Sequence, residues 1–261
     1  MKALQIAATG MMAQQLNVEV ISHNIANMRT SGYKRVRPEF QDLLYQNIRQ
    51  PGANSSESGT ILPSGIQVGL GVKTASTYRI MTQGDMTNTE KQLDMAIRGE
   101  GFFQIQLPDG QTAYTRSGAF SLDANGQLVT QEGYQVEPSI TVPANARQIT
   151  VNASGEVLVS VDGQTAPTSA GTLQLARFVN KAGLEAIGDN LFLETPASGS
   201  PSTGTPNADG VGSILQSFLE SSNVNAVSEI SDLIAAQRAY EMNARVISAA
   251  DEMMSATSQL R

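Results

Sequence analysis

The spacing of apolar residues predicts two long helices, one at each end of the chain. Residues 218–261 repeat apolar or small side chains at alternating steps of three and four, which is the period of one helix face. Asn223 or Asn225 is expected to cap the start of this helix, because a short side-chain carbonyl accepts backbone N–H groups of a first turn. Residues 1–30 carry a second stripe with the same spacing, and Gly32 supplies its predicted stop. The apolar members of the two stripes are Leu4, Met11, Val18, Ile21, Ile25, Met28, Val227, Ile230, Ile234, Tyr240, Ile247 and Met254.

Little charge lies on the first predicted helix away from its stripe. Only Lys2, Glu19 and Arg29 are charged among its residues, whereas a helix surrounded by water normally carries more charge. We therefore hypothesise that the two terminal helices pair through their stripes in a coiled-coil-like manner. Their remaining Ala, Gln and Asn faces are then expected to meet other copies of the same chain.

An antiparallel β domain is predicted for the middle of the chain. Short alternating runs separated by turn residues extend from about residue 67 to residue 195. Asp109-Gly110 and Asn125-Gly126 each stand between two such runs, and Asx-Gly pairs permit the positive φ angles of tight hairpin turns. Because strands and helices do not alternate here, the region is interpreted as a small antiparallel barrel or sandwich.

Two stretches rich in Gly, Ser and Pro separate the β domain from the predicted helices. Such stretches bury too little side chain to fold by themselves, so the first is expected to contain an extended arm and the second to be a linker. The predicted fold class is α+β, with long paired terminal helices, an inserted antiparallel all-β domain and an extended Gly/Ser/Pro arm. The predicted boundaries are 1–30 for the first helix, 31–66 for the connecting segment with the arm, 67–195 for the β-rich domain, 196–217 for the linker and 218–261 for the second helix.

Composition and charge limit the partners of the chain. Its 261 residues suffice for one or two domains with a core, and 40% of them are apolar. The formal charge of −7 argues against nucleic acid as a partner, since nucleic acid requires a basic surface. No apolar run approaches the length of a membrane span, and Cys is absent. A cleaved signal peptide is not predicted, because Gln5, Thr9 and Gln14 interrupt the apolar residues near the start.

No motif for catalysis or cofactor binding is found. A phosphate-binding loop needs Gly immediately before Lys, and Val72 stands between Gly71 and Lys73. His23 is the single histidine, and it lies in a predicted helix with uncharged neighbours rather than beside a carboxylate and a nucleophile. We therefore predict no cofactor, no metal site and no enzymatic activity. The distant paired carboxylates of a glycoside hydrolase are the one catalytic arrangement that the sequence leaves open.

Four segments of the chain resemble the bacterial flagellar axial proteins of the rod and hook. They are SHNIANMRTSGYKR at 22–35, LDMAIRGEGFFQI at 93–105, YTRSGAFSLDANGQLVTQEGYQV at 114–136 and the long segment at 220–254. The residues that carry the family motifs are Asn24, Ala26, Asn27, Gly32, Gly99, Gly101, Phe102, Phe103, Arg116, Gly118, Asn223, Arg238, Tyr240, Glu241 and Asn243. Within the family, residues 46–77 are most similar to the distal rod members, and the arm residues that carry this similarity are Gly52, Asn54, Ser55, Ser56 and Gly65.

The resemblance implies a structural function. Distal rod members polymerise helically into the rigid hollow shaft that crosses the periplasm, transmits motor torque to the hook and supports motility. The expected partners are further copies of the chain, the proximal rod, hook and L- and P-ring proteins, and the type III apparatus that exports subunits without signal cleavage. A proximal rod or hook subunit is the alternative within the family. An exported adhesin and a peptidoglycan hydrolase are the alternatives from other classes, and the helical period at both ends argues against the adhesin.

Overall fold

The two ends of the chain lie in one structural unit, and the middle of the chain forms another. The computed structural model describes residues 2–50, 64–162, 166–208 and 210–259, with only the backbone described at 257 and 259. The helical unit contains residues 1–25, 36–78 and 225–261, and the β-rich unit contains residues 26–35 and 79–224. Two helices and an antiparallel β-rich unit confirm the predicted α+β class.

Both predicted helices are present. Helix α1 spans Lys2–Ala26 and helix α2 spans Ala226–Gln259. Asn225 caps α2 as predicted, because its Oδ1 accepts hydrogen bonds from the backbone N–H of Val227 at 3.0 Å and of Ser228 at 3.3 Å.

Each helix covers less of the chain than predicted. Helix α1 ends at Ala26, so Gly32, which has a φ of 73°, lies in the segment that follows rather than at the helix end. Phe218–Glu220 forms a strand instead of the first turn of α2. The backbone of Phe218–Glu220 pairs with residues 86–88. In a helix, the same N–H and C=O groups would bond within the helix and could not form this pairing.

Four strands complete the helical unit. They are β1 (Val36–Asp42), β2 (Tyr45–Arg49), β3 (Ile66–Gly69) and β4 (Val72–Arg79), and Arg79 itself belongs to the β-rich unit. Strand β1 pairs with β4, and β2 pairs antiparallel with β3, which gives two separate two-stranded sheets. The predicted connecting segment therefore contains strands. The arm residues Gly52, Asn54, Ser55 and Ser56 fall outside the described residues, and Gly65 directly precedes β3.

Sixteen strands are described in the β-rich unit. They are β5 (Met86–Asn88), β6 (Met95–Arg98), β7 (Phe102–Gln106), β8 (Thr112–Thr115), β9 (Ser121–Leu122), β10 (Leu128–Val129), β11 (Gln135–Glu137), β12 (Ala146–Val151), β13 (Glu156–Val161), β14 (Thr168–Thr172), β15 (Leu175–Arg177), β16 (Glu185–Gly188), β17 (Leu191–Leu193), β18 (Ser202–Gly204), β19 (Ser213–Gln216) and β20 (Phe218–Glu220). One short 3₁₀ helix, Lys181–Gly183, follows β15.

These strands form one large and several small antiparallel sheets. The nine-stranded sheet has the order β16-β17-β8-β7-β11-β10-β9, and β15 pairs with both β7 and β18. Strands β12, β13 and β14 form a three-stranded sheet, while β19 pairs with β6 and β20 with β5. The predicted linker at 196–217 thus contains β18 and β19. Ile214 of β19 is buried opposite Ile97, so this stretch belongs to the core.

One apolar cluster joins the nine-stranded and the three-stranded sheets. Phe103 and Ile105 of β7 contribute to it from the large sheet, and Val157 and Val159 of β13 contribute from the small one. A smaller aromatic cluster contains Phe102, which is stacked edge-on against another ring at 5.9 Å between ring centroids. Two sheets that share a core in this way agree with the predicted antiparallel β domain.

Close backbone approaches explain several glycines of the β-rich unit. A Cβ on Gly118 would lie 1.7 Å from the carbonyl oxygen of Met95, a distance that no rearrangement of a side chain relieves. Gly110 and Gly126 adopt φ angles of 83° and 78°, as predicted for the hairpin turns.

Replacing Gly118 by Ala is expected to lower the free energy of unfolding of the β-rich unit by about 3 kcal/mol, because Met95 and its strand must move. The control is Gly110→Ala, for which the added Cβ has nothing within 4 Å and only the positive φ costs about 1 kcal/mol. Denaturant unfolding of the full chain, followed by circular dichroism, measures both. Equal losses in the two variants would contradict this explanation.

Candidate assembly surface

Small and polar residues bring α1 and α2 together. Asn24 donates a hydrogen bond from Nδ2 to Oε2 of Glu229 at 3.1 Å, and a Cβ on Gly10 would lie 2.9 Å from Nδ2 of Asn243. Gly10 precedes Asn24 by fourteen residues, while Asn243 follows Glu229 by fourteen, so the two helices run antiparallel. Fourteen residues are two heptads, the repeat that keeps one face of a helix toward its partner.

The buried face of α2 follows the same seven-residue step. Glu229, Ala236 and Ala250 are buried, with exposed fractions of 0%, 2% and 7%, and Asn243 between them is half-buried. Side chains of this size allow helix backbones to approach closely.

The large apolar side chains of α2 lie outside this face and are exposed in the single chain. We name the α2 apolar row for its members Val227, Ile230, Ile234, Tyr240 and Met254, whose exposed fractions are 76%, 49%, 46%, 43% and 40%. Ile247, the remaining member of the predicted stripe, is half-buried. The hypothesis that α2 buries this stripe against α1 and turns its small residues outward is therefore wrong. Among the described side chains of α2, those buried in the single chain are Glu229, Ala236 and Ala250.

The predicted stripe of α1 is covered more fully. Ile21 is buried, and Leu4, Met11, Val18 and Ile25 are half-buried. Met28, with an exposed fraction of 38%, lies beyond the end of α1. Met12, which is not part of the stripe, is 71% exposed.

Asn24 fastens the end of α1 to the start of β1. Its Oδ1 accepts a hydrogen bond from the backbone N–H of Val36 at 2.9 Å, and its Nδ2 donates to the carbonyl oxygen of Val36 at 2.8 Å. The side-chain amide thus pairs with Val36 as a neighbouring strand would, and it also reaches Glu229. A buried amide with these partners fixes one register of the chain.

A buried ionic cluster lies in the β-rich unit. We name it the Glu220 cluster for Lys34, Arg116 and Glu220. Oε1 of Glu220 accepts hydrogen bonds from Nζ of Lys34 at 2.5 Å and from the backbone N–H of Gly84 at 2.9 Å. Oε2 accepts from Nε of Arg116 at 2.9 Å, and Nη2 of Arg116 lies 2.9 Å from the same oxygen. All three side chains are almost inaccessible to solvent, so one carboxylate neutralises only one of two buried cations.

Backbone oxygens stabilise the second cation. Nη1 of Arg116 donates to the carbonyl oxygens of Gly99 at 2.9 Å and Gly101 at 2.7 Å, and Nζ of Lys34 donates to that of Thr82 at 2.8 Å. Burial lowers the pKa of Lys34 below its ordinary value, and the Glu220 carboxylate opposes this shift.

The structure brings part of the predicted motif residues together around the Glu220 cluster and places the others elsewhere. Those at or beside the cluster are Gly32, Gly99, Gly101, Phe102, Arg116 and Asn223. Those in the core of the β-rich unit are Phe103 and Gly118, and those in the helical unit are Asn24, Arg238, Tyr240, Glu241 and Asn243. Ala26 ends α1, and Asn27 accepts a hydrogen bond from the backbone N–H of Thr30 in the turn that follows.

Three residues of these sites were not singled out from the sequence. Lys34 stands in the predicted connecting segment 31–66, and Glu220 and Glu229 stand in the segment 218–261 that was predicted to be helical throughout. The available signal was the scarcity of charge, since only 16% of the residues are charged. Glu220 and Glu229 are charged residues in a weakly charged segment, which makes them candidates for buried pairs, whereas Lys34 has charged neighbours and gives no such signal.

The described residues offer no site for a metal ion, because no three His, Asp or Glu side chains among them converge. Neither described helix combines the length and the apolar character that crossing a membrane requires.

A long helical pair with an exposed apolar row, joined to a β-rich unit, defines a subunit that assembles with others. Three family models match the chain in order. They are described as a flagella basal body rod protein over residues 4–34, the D1 domain of the flagellar hook protein FlgE/F/G over 96–159, and the C-terminal part of the flagellar basal body rod FlgEFG protein over 215–260.

Relatives of the same description align along almost the whole chain. The flagellar basal-body rod protein FlgG of Caulobacter vibrioides is 60% identical and covers all of both chains. The protein of the same name from Borreliella burgdorferi is 45% identical over all of this chain and 99% of its own, and that from Bacillus subtilis is 35% identical over 97% of each. The chain therefore belongs to the flagellar basal-body rod protein family. It is a structural subunit of the flagellar rod rather than an enzyme, and the resemblance that the sequence predicted is confirmed.

Replacing Gly10 by Leu is expected to prevent close contact between α1 and α2, because its side chain requires the space of Asn243. Overpacking of this kind costs about 1–3 kcal/mol, or roughly a tenfold loss of correctly paired subunits. The measurement is the number of completed rods seen by electron microscopy in cells that produce only the variant. The matched control is Gln5→Leu at an exposed position of α1. A Gly10→Leu strain with the normal number of rods would show that this contact is dispensable.

Proposed function

We propose that this rod subunit forms the distal part of the rod, where copies polymerise helically into a rigid hollow shaft that transmits motor torque to the hook. The observation that carries the proposal is the α2 apolar row. A single chain leaves 40–76% of the surface of each of these five residues exposed, and burial of the remainder by a neighbour contributes about 1–2 kcal/mol for each.

Polymerisation couples to the ordering of the helices in this proposal. Fixing one backbone residue costs about 1–2 kcal/mol, and helices of 25 and 34 residues have few fully buried side chains to offset that cost. Further copies supply the missing burial. We also propose coiled-coil-like pairing of α1 and α2 along their whole length. Two contacts support this pairing, Asn24 with Glu229 and Gly10 with Asn243, at positions two heptads apart on each helix.

The arm predicted at residues 46–66 is proposed to connect neighbouring subunits. Its described flanks support this, because Tyr45 and Ile48 of β2 are 57% and 61% exposed and Ile66 of β3 is 53% exposed. A two-stranded sheet with exposed apolar side chains gains stability from a further surface. The similarity of this segment to distal rod members supports the distal position.

The proposed partners are further copies of the chain, the proximal rod and hook proteins, the L- and P-ring proteins, and the type III export apparatus. We propose that export leaves the first residues in place. Their part in the fold supports this, because Ala7 and Ala13 are buried and the Lys2 ammonium group donates a hydrogen bond to Oε1 of Gln46.

Replacing Ile230 and Ile234 by Asp is expected to prevent polymerisation while the β-rich unit stays folded. Charged side chains on this row oppose burial between copies, at a cost of about 2 kcal/mol or more for each. Rods are counted by electron microscopy, and the fold is checked by circular dichroism. The control is Val179→Asp, which changes a fully exposed residue of the β-rich unit. Normal rods in the double variant would refute the role of the row.

The distal position is tested separately by labelling the chain in purified basal bodies. Electron microscopy is expected to place the label in the part of the rod next to the hook. A label confined to the part nearest the cytoplasmic membrane would identify a proximal rod subunit, and a label along the hook would identify a hook subunit.

A further inference from the structure

The function proposed above uses the surfaces of the helices but not the Glu220 cluster. This cluster involves two of the stretches at which the chain passes between the helical unit and the β-rich unit. We name residues 27–35, which follow α1, the entry segment, and residues 217–224, which precede α2, the exit segment. We propose that Glu220 is a positioning residue for assembly, whose carboxylate fastens the entry segment, which follows α1, to the exit segment, which precedes α2, within the β-rich unit. The proposal rests on the assembly role of the helices.

Two further contacts join the same segments. The backbone N–H of Gly32 donates to the carbonyl oxygen of Glu220 at 2.8 Å. Oδ1 of Asn223 accepts from the backbone N–H of Arg35 at 2.7 Å, and its Nδ2 donates to the carbonyl oxygens of Ile80 at 2.8 Å and Thr82 at 3.1 Å. Asn223 therefore bridges the entry segment and the start of the β-rich strands.

Most contacts that hold these segments are polar, although Tyr33 of the entry segment is buried and β20 of the exit segment pairs with β5. Within the described part of the β-rich unit, no residue of the entry or exit segment belongs to either apolar cluster. The backbone has little freedom at this point, because a Cβ on Gly84 would lie 1.9 Å from the carbonyl oxygen of Ser221. Loss of the polar contacts is therefore expected to release the segments while the core remains packed.

Removing the charge of Glu220 is expected to disturb the cluster more than removing the charge of Lys34. Lys34 and Arg116 are both buried, and Glu220 is the carboxylate between them. Without the Glu220 charge, neither Lys34 nor Arg116 keeps the carboxylate that it contacts, and opening of the segments gives both side chains access to water. Without the Lys34 charge, Arg116 and Glu220 remain as a matched pair. Glu220→Gln should therefore open the segments more than Lys34→Met does. In the double variant, Lys34→Met should reduce the opening that Glu220→Gln causes.

Trypsin measures this opening at a defined bond. The full-length monomer is digested, and cleavage after Arg35 is followed by mass spectrometry. We expect Glu220→Gln to accelerate that cleavage at least about tenfold, Lys34→Met by less than about threefold, and the double variant to fall between wild type and Glu220→Gln. Asn223→Ala keeps all three charges but removes the hydrogen bond to Arg35, so it should also accelerate cleavage after Arg35. The matched control is Glu185→Gln, which removes an exposed carboxylate of β16 and should leave cleavage unchanged.

Assembly and folding are then measured on the same variants. Glu220→Gln and Asn223→Ala are expected to reduce completed rods about tenfold or more, while the core unfolds within about 5 °C of wild type. Unchanged cleavage, or normal rods despite an open segment, would overturn the proposal. Unfolding of the core in both variants would overturn it as well, since Glu220 would then stabilise the whole β-rich unit rather than position the segments. If rods form normally here but fail in the Ile230 and Ile234 variant, only the positioning role fails and the assembly function stands.

Discussion

The helical unit is organised around the contact between α1 and α2. A Cβ on Gly10 would lie 2.9 Å from Nδ2 of Asn243, and the buried positions of α2 are occupied by Glu229, Ala236 and Ala250 rather than by Leu or Ile. The large apolar residues of α2 lie on its other faces. A single chain consequently exposes apolar surface that a soluble monomer would ordinarily cover. The proposed assembly with identical copies covers this exposed apolar surface.

The β-rich unit obtains its stability differently. Its core is a conventional apolar cluster shared by two sheets, which needs no neighbouring chain. The division of the chain thus separates two tasks. In the proposed function, the β-rich unit has a core of its own and the helical unit completes its burial on polymerisation. The Glu220 cluster lies in the β-rich unit, where Lys34 belongs to the segment that follows α1 and Glu220 to the segment that precedes α2.

Local sequence patterns predicted the elements that local chemistry determines. The helix period located α1 and α2, Asn225 was recognised as a cap, and the Asx-Gly pairs marked turns in which Gly110 and Gly126 have positive φ. Motif residues led to the family, and several of them surround the Glu220 cluster. Periodicity could not decide which face of α2 is buried, because a stripe of large residues suits either a partner helix or another subunit. Local patterns could not predict the Glu220 cluster, because Lys34 and Glu220 are 186 residues apart in sequence. The strand at Phe218–Glu220 was missed for the same reason, because its partner strand lies far upstream.

The central claim is that α1 and α2 become stable only when neighbouring copies cover them. Hydrogen–deuterium exchange of their backbone amides tests it most directly, because protection reports the free energy of local opening. The account predicts rapid exchange throughout both helices in the dilute monomer, strong protection of the same amides in isolated rods, and slow exchange of the β-rich core in both samples. Helices that are as strongly protected in the dilute monomer as in the rod would contradict the account.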